Sequence, residues 1–149
     1  MSDYPKLRLS RLTKDVELLL PFYCDGLGFE VLDRSENVDG MDTVLLGHKD
    51  WPYQFEFSQV RGQSVAPRAP SSEHYRVFCI EDDAQWSARL AAMFQAGVPQ
   101  VTPPIQYING KWPCVAYEDA DGYRVVLVHG HWKKEAGLQL THRAASNSI

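Results

Sequence analysis

Apolar and polar residues alternate through Leu7-Arg8-Leu9-Ser10, the period of a strand that buries one face. Leu7 and Leu9 are expected against a helical layer, with Arg8 and Ser10 turned the other way. A helix should follow: Thr13 or Asp15 offers an N-capping oxygen, and Glu17 lies in the first turn, where the helix dipole favours an acid. The apolar run then reaches Phe22 and Tyr23, with Pro21 inside it predicting a kink or a break. Gly26 and Gly28 end the helix, and Gly28 is placed for a C-terminal cap. Strands are expected at 29–32, 43–47 and 53–58, separated by a polar loop at 35–40 and a turn at 48–52. The first half thus reads β-α-β-β-β.

Residues 60–72 hold glycine, prolines, serines and arginines with little that could pack, and read as a linker. A strand at 74–80 and an amphipathic helix at 82–94 come next, the helix presenting Trp86, Leu90 and Met93 on one face and ending at Gly97. A short strand at 98–101 leads to a loop at 102–113, punctuated by Pro103, Pro104 and Pro113. Strands at 114–117 and 123–128 flank Asp121-Gly122, a strong turn signal because glycine takes φ > 0 without strain. The second half is β-α-β-β-β again. Gly28 falls on Gly97, Asp15 on Asp82 and Glu56 on Val126 at separations that differ by only a few residues, as an internal duplication would. The expected organisation is a first module over 1–59, a linker over 60–73, a second module over 74–132 and a polar, aperiodic tail over 133–149.

Length and composition narrow the function classes. The chain of 149 residues, 44% hydrophobic and 23% charged, has the make-up of a soluble globular domain or two small modules sharing a core. A net charge of -4 with no basic stripe argues against nucleic acid and against a membrane surface. No signal peptide and no apolar run of transmembrane length is legible. Cys24, Cys79 and Cys114 are odd in number and widely spaced, which fits neither a disulfide framework nor a zinc knuckle, so a cytoplasmic location is expected. Phosphate-binding loops, nucleophile elbows and H-E-x-x-H are all missing from the sequence.

Two stretches, FYCDGLGFEVL in the first half and YEDADGYRVVL in the second, resemble segments of the vicinal oxygen chelate superfamily, which includes glyoxalases, bleomycin-resistance proteins and extradiol dioxygenases. The resemblance spans Leu7 to about Trp132. It implies an α+β fold of two βαβββ modules, whose sheets form a U around a concave cavity, and a homodimer as the expected assembly. In metal-dependent members, four ligands come from the first and last strands of each module. Those positions here carry Arg8 or a neighbour, Glu56, His74 or Tyr75, and Val126.

Strand alternation independently sets Gln54, Glu56 and Ser58 on the face opposite Tyr53, Phe55 and Phe57, alongside Arg8 and Ser10. Arginine cannot ligate a cation, since its guanidinium offers only donors, and valine offers nothing. Two ligand positions are therefore empty, and the expectation is a cavity without a metal cofactor; the alternative is a nickel, manganese, zinc or iron ion held by Glu56 and His74 with outside help. Arg8 and Glu56 either balance each other as an ion pair or present a cation and a carboxylate to a polar ligand. The expected small-molecule contacts are Arg8, Ser10, Gln54, Glu56, Ser58, His74, Tyr107, Trp112, Arg124 and Val126, with Glu56 the candidate catalytic group. His129 and His131 would share a face if the last strand continued, though Gly130 suggests that it ends.

Three functions are compatible with this set. The first is a metal-free protein of the glyoxalase and bleomycin-resistance type that binds a small organic molecule. The second is a metal-dependent lyase, isomerase or dioxygenase. The third is a resistance protein that sequesters a drug without turnover.

Overall fold

A computed structural model of the chain describes residues 4–63 and 68–131. The element order is β1 (Leu7–Leu12), α1 (Val16–Leu20) continued by a π-helical segment (Pro21–Gly26), β2 (Glu30–Val38), β3 (Met41–Gly47), β4 (Tyr53–Val60), β5 (Tyr75–Cys79), α2 (Asp83–Gln95), β6 (Gln100–Val101), α3 (Ile105–Ile108), β7 (Cys114–Glu118) and β8 (Arg124–Val128). The strands form two four-stranded sheets of the same topology, β1-β4-β3-β2 and β5-β8-β7-β6. In each, the first and last strands run parallel while the other neighbours are antiparallel. The expected duplication is what the chain adopts.

The duplication holds residue by residue. In the first sheet Arg8 pairs with Gln54 and Ser10 with Glu56; in the second, Tyr75 pairs with Arg124 and Val77 with Val126. Asp15 and Asp82 are the N-caps of α1 and α2, each carboxylate accepting a backbone N–H from the first turn. Pro21 marks the change from α to π geometry in the first helix, at the place where its missing N–H would have disturbed an α-helix. Gly28 and Gly97, at φ 81° and 71°, turn the chain out of the two helices.

One core joins the two modules. Leu19, Phe22 and Tyr23 from the first helical segment meet Val44, Leu46, Phe55 and Phe57 of the first sheet, Met93 of α2, and Tyr117, Val125 and Leu127 of the second. Trp86 and Leu90 pack against this cluster beside Met93, as the helical periodicity predicts. Each sheet therefore turns one face to the first helical segment and α2; the other face is free of helices in the first sheet and carries α3 in the second. Residue parity assigns Arg8, Ser10, Gln54, Glu56 and Ser58 to the helix-free face of the first sheet, and Tyr75, Val77, Val126 and Ala116 to the matching face of the second.

The structure departs from the sequence reading at sheet edges. β2 runs on to Val38, through the segment expected to be a loop, and closes on β3 through Asp39-Gly40, a two-residue turn with both residues at positive φ. As an outer strand β2 buries little, so its polar residues carry no alternation to read, and two register shifts interrupt its pairing. Leu7, expected against the helices, stands 55% exposed at the start of the edge strand β1. His74 precedes β5 rather than opening it, β6 shortens to two residues, and a single helical turn, α3, interrupts the proline-rich loop. The expected tail, 133–149, lies outside the described residues.

Candidate functional site

The two stretches that carry the family resemblance touch. Tyr23, buried in the first helical segment, donates its phenol to Asp119 Oδ2 at 2.7 Å, across the module boundary. Arg11, at the end of β1, donates Nη2 to the same Asp119 oxygen at 2.6 Å and Nη1 to Asp121 Oδ2 at 2.6 Å; Thr13 Oγ1 reaches that second carboxylate at 2.6 Å. The guanidinium stacks over Tyr123 and Phe57, 4.0 and 4.6 Å from their ring centres. Asp119 Oδ1 meanwhile accepts the backbone N–H groups of Asp121 and Tyr123, which shapes the turn at Gly122. Burial, and after it the Asp119 carboxylate, raises the Tyr23 phenol far above its ordinary value. Burial opposes the Arg11 charge, but the two carboxylates and the Tyr23 phenol outweigh it, and its pKa rises as well. This is a closed polar clamp, with every carboxylate oxygen that faces it taken by a donor.

The open polar surface lies on the helix-free face of the first sheet. Arg8 donates Nε and Nη2 to Gln54 Oε1 at 3.1 and 2.9 Å, and its Nη1 stands 3.6 Å from Glu56 Oε2. Ser10 donates to Glu56 Oε1 at 2.7 Å. Parallel pairing of β1 with β4 produces this quartet, because it sets Arg8 beside Gln54 and Ser10 beside Glu56. The Arg8 side chain is 52% exposed and that of Glu56 29%, so both charges remain available to solvent. They line a cavity of ≈ 320 Å³ that continues over Met41, Thr43 and Leu45 of β3 to the β2–β3 hairpin. Ser58 is buried and exchanges a 2.8 Å hydrogen bond with Thr43 Oγ1. Of the expected contacts, the structure thus gathers Arg8, Ser10, Gln54 and Glu56, with Ser58 one step below them. The β3 residues were missed, although the alternation of Met41, Thr43 and Leu45 with the buried Val44 and Leu46 carries the signal.

The matching face of the second sheet is apolar and covered. Val126, Ala116 and Val128 form its floor, and Tyr107 and Trp112 from the proline-rich segment pack on it. Trp112 lies against Gly130, where an added Cβ would come within 2.7 Å of the indole. Its buried Nε1 finds no hydrogen-bond partner among the described residues. Arg124 sits at the edge of this face, its Nε 3.4 Å from Glu118 Oε1. His74 is exposed ahead of β5, its backbone N–H directed to the Ser71 carbonyl. His129 and His131 do not act together: His129 stacks on Trp86 and contacts Asp83 Oδ1 at 2.9 Å, while His131 lies 2.8 Å from Glu81 Oε1.

Strand register tests the fit of a divalent metal. The positions equivalent to Arg8 and Glu56 in the second module are Tyr75 and Val126. A cationic donor, a carboxylate, a phenol and an alkyl group do not make the imidazole and carboxylate set that such an ion requires. Among the described residues, no three His, Cys, Asp or Glu side chains come together in a way that could hold one.

The YycE-like N-terminal domain matches residues 7–58, and the YycE-like C-terminal domain matches residues 73–129. The uncharacterized protein YycE of Bacillus subtilis is 28% identical over 125 residues, 83% of this chain and 87% of its own length. The crystal structure of a YycE protein from that organism superposes with a TM-score of 0.75 at 27% identity, covering 87% of this chain and 92% of that one. The fosfomycin resistance protein FosX of Mesorhizobium loti (TM-score 0.61, 17% identity, 97% and 99% covered) and the glyoxalase I of Leishmania major (TM-score 0.64, 17% identity, 98% of each chain) share the fold. With the duplicated βαβββ architecture, the FY-to-DADG contact and these matches together, the chain belongs to the vicinal oxygen chelate superfamily and carries its YycE-like pair of domains.

Proposed function

We propose that this protein binds a small organic molecule, bearing an anionic or carbonyl group, on the helix-free face of its first module and does so without a divalent metal. The observation that carries this reading is the Arg8–Glu56 pair, 3.6 Å apart at two of the positions that the family resemblance implies for metal ligands. A guanidinium there supplies in fixed form the positive charge that a metal would otherwise supply. Gln54 holds its Nε and Nη2 on one side and leaves Nη1 directed toward Glu56 and the cavity. Arg8 would anchor an oxyanion or polarise a carbonyl, a use suited to its planar fork of donors. Glu56, oriented by Ser10, would accept a hydrogen bond from the ligand or take a proton from it. Thr43 would complete the polar floor, and Met41 and Leu45 the apolar wall.

We place the protein in the cytoplasm and expect it to act as a homodimer. β1 and β5 each close one end of a sheet and leave one backbone edge unpaired among the described strands, a surface that a second copy would cover. No helix among the described residues is long and apolar enough to cross a membrane.

Thermal-shift titration with small carboxylates, phosphonates and α-keto compounds tests the anchoring role. A ligand that binds only the folded state raises the melting temperature. The reading expects a shift with the wild type that is lost in Arg8→Gln. Equal shifts in the two proteins would overturn it.

A further inference from the structure

A second cavity lies on the opposite side of the sheets, at the boundary between the modules. It measures ≈ 350 Å³ and is formed by residues 27–29 ahead of β2, the β3–β4 turn, β5 and α2. Phe29, His48, Trp51, Tyr53 and Phe78 give it aromatic walls, and Gln85 and Arg89 of α2 supply its polar side. Trp51 and Tyr53 stack at 5.0 Å and 28°, and Phe29 meets Trp51 edge-on at 5.3 Å. Such walls accept a flat ring, since offset and edge-on contacts are the favoured aromatic geometries.

Arg89 gives the cavity its charge. It donates Nη1 to the Gly26 carbonyl at 2.7 Å, which fixes the guanidinium over the end of the first helical segment. An added Cβ at Gly28 would lie 2.8 Å from Arg89 Nη1 and Nη2, so the side chain crosses that glycine closely. Among the described residues it forms no ion pair, and the Glu30 carboxylate lies 3.4 Å from His48 Nδ1. A guanidinium pinned by one nitrogen, facing an aromatic-walled hollow and lacking a carboxylate, is complementary to a planar aromatic anion.

We infer that this inter-module cavity is a binding site for a planar aromatic carboxylate, its ring against Trp51 and Tyr53 and its carboxylate on Arg89 and Gln85. The site is distinct from the Arg8–Glu56 surface, with which it shares no lining residue. Cavities at domain boundaries with apolar walls and a few convergent polar groups are the usual form of small-molecule sites.

The experiment is calorimetric titration of the full chain with 1-naphthoate and with the neutral 1-naphthalenemethanol. Wild type should prefer the carboxylate by about tenfold, the value of one charge-assisted hydrogen-bonded contact. In an Arg8→Gln background, which takes away the anionic anchor of the first-sheet surface, Arg89→Gln should bind the two probes equally, and Ala88→Phe, which fills the cavity from α2, should bind neither. Because Arg89→Gln also gives up the Gly26 contact, Ala88→Phe provides an independent test should that variant fold poorly. Unchanged naphthoate binding when Ala88→Phe is added to Arg8→Gln, a naphthoate preference kept when Arg89→Gln is added to it, equal affinity of wild type for both probes, or no binding of either would each overturn the assignment.

Discussion

Tyr23 Oη and Asp119 Oδ2 lie 2.7 Å apart, one from the FY segment and one from the DADG turn. The two most family-like stretches of the chain are thus the two halves of one contact between modules. Their residues hold the duplicated fold together, while the polar surface available to a ligand is built from Arg8, Ser10, Gln54 and Glu56.

Tyr23→Phe should cost about 2 kcal/mol, the worth of a hydrogen bond to a charged acceptor, and leave Arg11 as the donor to that Asp119 oxygen. Burial and Asp119 raise the phenol pKa from its ordinary 10.0, so folding disfavours the phenolate. The stability linked to this group is complete below pH 10.0 and declines above it, as the unfolded chain ionises first. Melting curves from pH 8 to 11 should fall more steeply above 10.0 for wild type than for Tyr23→Phe. Parallel slopes would contradict the account.

Arg11→Met removes the cation from between Asp119 and Asp121, whose side chains are 0% and 5% exposed. Two carboxylates would lose their charge partner in the interior, and urea unfolding should report a loss of about 3–5 kcal/mol. Pairing the substitution with Asp119→Asn and Asp121→Asn should recover much of it. A loss below about 1 kcal/mol, the level of a surface pair, would show that the clamp is not what joins the modules.

Gly28→Ala and Gly97→Ala form a matched test of the helix ends. Both glycines sit at positive φ, 81° and 71°, and a Cβ there costs about 1 kcal/mol from backbone strain alone. At Gly97 an added Cβ meets nothing within 4 Å, whereas at Gly28 it strikes the Arg89 guanidinium at 2.8 Å. Chemical denaturation should therefore show a larger loss at Gly28, and Arg89→Ala should remove the excess.

Much of this arrangement was legible in the sequence and some was not, for physical reasons. Alternation located Gln54 and Glu56 because β4 buries Phe55 and Phe57 of its opposite face in the core, and Arg8 and Ser10 because β1 packs Leu9 against it. It failed for β2, an outer strand with no buried face to impose a period, so residues 35–38 looked like loop. Arg11 carried no signal of its own: its role depends on Asp119 and Asp121, more than a hundred positions along the chain, and only the folded sheets bring them within 2.6 Å. The cavity around Trp51 and Arg89 belongs to the same class, since it exists only where the modules meet.

Arg8→Gln and Glu56→Gln should each change stability by less than about 1 kcal/mol, as expected of a pair that faces solvent. Ligand affinity should fall in both, and any turnover should disappear in Glu56→Gln. A large loss of stability without loss of binding would make the pair a structural element and not a site.

The most direct test of the metal-free surface is the metal content of protein purified without added metal, with melting temperatures recorded after addition of nickel, manganese, zinc or iron(II). The account predicts substoichiometric metal and no shift, because Arg8 and Val126 offer no electron pair at their positions. Near-stoichiometric metal that disappears in Glu56→Ala would contradict it and identify Glu56 as a ligand in a metal-dependent enzyme.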